Sequence, residues 1–171
     1  MTTTLDQWQP FFAAVAGVAA TLVGLLFVGL SLNPSIMADR GPTGLRMWAG
    51  ETFHSFLAVL AFALIGLIPD PGVVGFSLPL LVVGGLGIAR ILGGARRIRR
   101  DGTPDWGWRT FAVRFAAPLV GYAVAIWVGV DVLRGEPGQI GWLVATVFLL
   151  MMNATGNCWD LLREIGDRSG S

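Results

Sequence analysis

The chain has 171 residues, of which 54% are apolar and 13% charged, with a net charge of +1, 24 Gly and one Cys. Soluble domains carry about 25% charged residues, so this composition excludes an ordinary soluble fold. The lone Cys158 excludes an intrachain disulfide.

Five long apolar stretches follow one another along the chain, at 11–32, 52–68, 72–89, 115–130 and 140–159. A run of about 18 apolar residues crosses a ~30 Å hydrocarbon core. Arg side chains near an end snorkel to the surface, so they do not disqualify the shorter runs. The expected spans are about 8–33, 45–68, 72–95, 108–133 and 139–162. They leave room for short loops only. The reading is therefore one integral membrane domain over 1–171, an all-α polytopic bundle of five transmembrane helices.

The first helix follows a segment, 1–10, without a basic residue, and its apolar run is longer than a signal-peptide core. It is read as a retained span. Ala16, Ala20 and Gly24 recur on it every four residues, and Gly85, Ala89 and Gly93 do so on the third helix. Such stripes let helices approach closely in lipid. Two readings stay open: packing inside the bundle, or contact between copies in a homo-oligomer.

Thr43 is a candidate N-cap for the second helix. Pro69-Asp70-Pro71-Gly72 is a turn signal that makes the second and third helices an antiparallel hairpin. Pro79 and Pro118 are expected to kink the third and fourth helices. Trp8, Trp48, Trp106, Trp108, Trp142 and Trp159 fall near span ends, where aromatic belts form.

All twelve basic residues are Arg, and they are sorted among the gaps. The 1–10, 69–71 and 131–139 segments hold one, Arg134. The other gaps hold eleven: Arg40, Arg46, Arg90, Arg96, Arg97, Arg99, Arg100, Arg109, Arg114, Arg163 and Arg168. Cytoplasmic loops carry the basic excess, so the N-terminus is expected outside and the C-terminus inside. Arg96, Arg97, Arg99 and Arg100 follow the third helix directly and suit anionic lipid headgroups, at roughly 1 kcal/mol each. So short a basic patch at a membrane does not suggest nucleic acid.

Ionisable groups inside a membrane are costly and by default suggest function. Glu51 and His54 lie one to two turns into the second helix, while Arg90 and Arg114 reach inward on the third and fourth. Asn153, Asn157 and Asp160 share one face of the fifth helix. These seven residues form a candidate polar cluster in the cytoplasmic half. Its first reading is a knot that organises the bundle and a partner or oligomer contact, in a non-enzymatic protein. Its second is a vestibule of a channel or transporter for an ion or small polar solute, formed by a homo-oligomer. The opposite half is nearly all apolar apart from Thr21, Ser77, Tyr122 and Thr146.

Glu51-x-x-His54 has the spacing of a carboxylate-metal bundle. One His and one intramembrane Glu do not complete such a site, so neither metal nor cofactor is expected. No nucleophile–base arrangement or phosphate loop is legible. Gly84-Gly85-Leu86-Gly87 lies inside a span, as packing. Cys158 reads as a small apolar residue.

Three segments carry a resemblance. Residues 7–33, Glu51 early in the second helix, and the closing segment 157–165, Asn157-Cys158-Trp159-Asp160-Leu161-Leu162-Arg163-Glu164-Ile165, resemble a loose group of small bacterial multi-span membrane proteins. The group has no established activity. The resemblance implies a bacterial cytoplasmic membrane and singles out Glu51, Asn157, Trp159 and Glu164. The Lys-free, Arg-, Gly- and Ala-rich usage resembles a high-GC bacterial coding bias.

Overall fold

A computed structural model describes residues 2–32, 34, 45–101 and 107–169. They form five long helices and no strand among the described residues. The helices are α1 (Thr2–Leu32), α2 (Leu45–Gly66), α3 (Gly72–Asp101), α4 (Gly107–Leu133) and α5 (Trp142–Ser169), with a 3₁₀ turn at Pro137–Gly141. All five are long and apolar enough to cross a membrane. In hydrocarbon a backbone must satisfy its own polar groups, and the helix does so within one segment.

The surface agrees with that setting. Leu25, Phe27, Leu32, Leu86, Phe148 and Met152 are each more than half exposed. Apolar residues on every outer face would aggregate in water; a bilayer solvates them. This is the architecture of a multi-pass membrane protein.

In space the helices run α1, α2, α5, α4, α3, each packed on the next. A light contact of α3 with α2 closes the last four into a ring, and α1 leans on α2 from outside. The α2–α3 link is as tight as its sequence suggests. Asp70 takes φ 42° and Gly72 φ 61°, left-handed values that Asp tolerates and Gly adopts freely. The two helices nevertheless diverge beyond the turn.

A Schellman cap ends α4. The N–H of Glu136 donates to Asp131 O at 3.0 Å, and that of Gly135 to Val132 O at 3.0 Å. Gly135 takes φ 91°, as this cap requires. Arg134 bridges back to the Asp131 carboxylate at 3.7 Å.

The tightest seam joins α3 to α4. A Cβ at Gly84 would lie 2.7 Å from the Ile126 side chain, and one at Gly87 2.6 Å from the Tyr122 ring. Across the seam, a Cβ at Gly129 would meet Leu81 at 3.2 Å. Each glycine is a notch that a neighbouring side chain fills, the packing by which helices associate in lipid. At α4–α5, Thr146 donates its hydroxyl to Gly121 O at 3.2 Å. The core of the Arg-poor half is mostly apolar and tightly packed: Phe62, Phe76, Leu80, Leu143 and Val128 are at most 1% exposed, and Ser77, Thr146 and Asp131 are its buried polar residues.

The small-residue stripes do not serve these seams. A Cβ at Gly24, Gly85 or Gly93 would meet nothing within 4 Å, and Ala20 and Ala89 are exposed. Of the six, Ala16 alone packs on the core. The working notches, Gly84 and Gly87, lie roughly on the opposite side of α3 from the stripe. The expectation that the stripes pack inside the bundle is therefore corrected.

Thr43 and Trp106 lie outside the described residues, as do the side chains of Trp48 and Trp108.

Adjacent glycines give a direct test of the seam. Gly84→Ala is expected to destabilise the bundle by about 1–3 kcal/mol through overpacking, while Gly85→Ala leaves it unchanged. Thermal denaturation in detergent compares the two; equal effects contradict this packing.

Candidate functional site

Glu51 opens the site. It lies six residues into α2 and is 8% exposed, so its carboxylate is withdrawn from solvent at the Arg-rich end. The charge that acts on it is Arg90 of α3. Among the described residues no direct ion pair closes between them, and Arg90 is itself exposed. The arrangement is a buried carboxylate in the field of a guanidinium at the bundle edge.

Tyr122 of α4 completes the set. Its ring rests in the Gly87 notch, with Phe62 at a centroid distance of 6.4 Å. Its hydroxyl feels both Glu51 and Arg90 and faces Ser55. The Ser55 hydroxyl is buried, with Tyr122 as its polar neighbour. Glu51 and Ser55 are four residues apart, hence on one face of α2. Three helices thus contribute four polar groups, across a slight α2–α3 contact.

His54 turns elsewhere. Its Nδ1 lies 2.7 Å from Gly50 O; a carbonyl only accepts, so Nδ1 carries the hydrogen and donates. The partner is backbone, rather than Glu51 or an Asn side chain. His54 also lines an apolar cleft between α1 and α2 with Phe27 and Phe53. On α5, Asn157 is buried and engaged, as is the half-buried Asp160. Asn153 is half-buried, and its Nδ2 has no hydrogen-bond partner.

Arg96 and Arg100 are exposed beyond the site on α3. The side chains of Arg97, Arg99 and Arg114 lie outside the described residues, and so does that of Glu164. Among the described residues no three His, Cys, Asp or Glu side chains gather as a metal site requires.

Of the seven candidate residues, Glu51 and Arg90 lie within electrostatic reach of each other, without an ion pair. Tyr122, which the sequence reading placed in the opposite half, and Ser55 join them. Tyr122 belongs by residue count to the middle of α4, about 16 Å from Leu133. A helical side chain leans toward its helix N-terminus, and α4 starts at the Arg-rich end. That lean carries the hydroxyl toward Glu51. The chain has no other Tyr, which was the available signal. Asp131, 8% exposed, is a second buried acid that a loop assignment hides.

No protein-family model, curated protein or solved structure matches the chain.

The cluster predicts energetic coupling. In a double-mutant cycle of Glu51→Gln and Arg90→Gln, stability in detergent is expected to depart from additivity by about 0.5–3 kcal/mol. Additive losses separate the two residues.

Proposed function

We propose that this chain is a non-enzymatic membrane protein whose Glu51–Arg90–Tyr122–Ser55 cluster sets the register of α2 against α3 and α4. The cluster also offers a partner or second copy the exposed Arg90. The observation that carries this reading is the placement of the four groups. Glu51 and Ser55 of α2, Arg90 of α3 and Tyr122 of α4 interact across three helices, and α2–α3 packing is otherwise slight. An acid removed from water and left alone would be strongly destabilising. Holding it near Arg90 makes the correct alignment of three helices the favourable one.

Conduction through a single subunit is disfavoured by the closed apolar half at Phe62, Phe76, Leu80 and Leu143. The buried Asn153 amide without a partner favours a second reading, an aqueous vestibule at the Arg-rich end, although Ser77 Oγ in the opposite half is buried without a partner too. That reading still requires a route past the apolar half.

Reconstitution decides between them. In liposomes loaded with a pH- or halide-sensitive dye, the wild-type chain and Glu51→Gln are expected to match protein-free vesicles. Flux in the wild type that falls in Glu51→Gln overturns the proposal in favour of transport.

The Arg-rich end is proposed to face the cytoplasm, by the positive-inside bias. In a Cys158→Ser background, a Cys at Thr3 is expected to react with a membrane-impermeant maleimide added to intact cells. One at Ser169 is expected to react only after lysis. The reverse pattern inverts the topology.

A further inference from the structure

Helix α1 is attached along only part of its length. Its buried side chains are Leu5, Phe12, Val15 and Ala19, with none beyond. Phe12 fills the notch at Gly66, and Trp8 lies against Gly141. Past Ala19 the helix stands off from α5. The gap is a cleft of about 310 Å³, lined by Leu22, Leu26 and Gly29 of α1, Phe56 of α2, and Thr155 and Cys158 of α5. It runs some eight residues along α1, or about 12 Å along the helix axis.

The lining decides what can fill it. Water is excluded, because the walls are apolar and offer too few polar partners to hold it. No side chain of the described residues reaches in to close the gap. An acyl chain satisfies every wall, and a bilayer supplies it in excess. Leu162 of α5, toward the Arg-rich end, lines the cleft, and the next residue, Arg163, is exposed. A cation one residue beyond an apolar slot complements an anionic headgroup above a hydrocarbon tail.

We infer that the α1–α5 cleft is a binding site for an anionic phospholipid, with one acyl chain between Leu26 and Thr155 and the headgroup at Arg163. The site is separate from the Glu51–Arg90 cluster and does not depend on its role. Lipid in the cleft completes the packing that α1 lacks over its last dozen residues.

Gly29 provides the test, because a Cβ there meets nothing within 4 Å. Gly29→Phe adds bulk at a wall position of the slot whose Cβ has free space. Gly50, equally open, lines the separate α1–α2 cleft, so Gly50→Phe is the control. The full chain is extracted from vesicles of equimolar phosphatidylcholine and phosphatidylglycerol, and retained lipid is read by native mass spectrometry. The wild type and Gly50→Phe are expected to retain one phosphatidylglycerol per chain in preference to phosphatidylcholine. Gly29→Phe is expected to lose it with an unchanged melting temperature. Arg163→Gln is expected to lower the preference about fivefold. Retention in Gly29→Phe equal to wild type overturns the inference. So does a wild type that retains no lipid or does not prefer the anionic one, or an Arg163→Gln variant with unchanged preference.

Discussion

Helices already surrounded by hydrocarbon gain nothing from hiding apolar side chains from water. Their association rests on close contact, and in this bundle close contact rests on absent side chains. Gly84 and Gly87 let α4 press its Ile126 and Tyr122 into α3. That single approach has two results. It makes α3–α4 the most extensive seam, and it fixes the Tyr122 ring so that its hydroxyl faces Ser55 and lies in the fields of Glu51 and Arg90. A side chain at position 87 would move the ring, and the polar cluster would lose its third helix. Packing and electrostatics are therefore one device: the notch sets the ring, and the ring sets the hydroxyl.

The cluster itself combines unequal partners. Glu51 is buried and Arg90 exposed. A long Arg stem can keep its head near the headgroup region while its field reaches inward. The carboxylate has no such freedom, since its side chain is short and its helix is packed on both α1 and α5. Alignment is thus dictated from the acidic side, and Arg90 adapts.

Much of the architecture was legible along the chain, because hydropathy and length alone determine which segments can span. Azimuth was not. Gly85, Ala89 and Gly93 have the right spacing for a seam, yet they look outward, while Gly84 and Gly87 do the packing. Spacing reports that residues share a face; it does not report what that face meets. Chain order misled in a related way. The Pro69–Gly72 turn joins α2 to α3, but α2 makes its main contacts with α1 and α5. Within the site, Glu51 and Arg90 could be paired by depth and charge. Tyr122 could not, because its Cα level belongs to mid-span and only the lean of its side chain brings the hydroxyl across. His54 was placed in the polar cluster, and its Nδ1 bonds to the Gly50 carbonyl, a choice that residue identity does not reveal.

One contact has a consequence for how such a chain can change over time. Phe12 occupies the notch at Gly66, so the two positions are tied as plug and socket: any side chain at 66 demands a smaller one at 12. Beyond Ala19 no side chain of α1 is fully buried, and away from the cleft that Leu22, Leu26 and Gly29 line apolarity is the main demand. Descendants of this sequence are expected to substitute position 12 in step with position 66. Outside the cleft positions, the last third of the same helix is expected to exchange one hydrocarbon side chain for another.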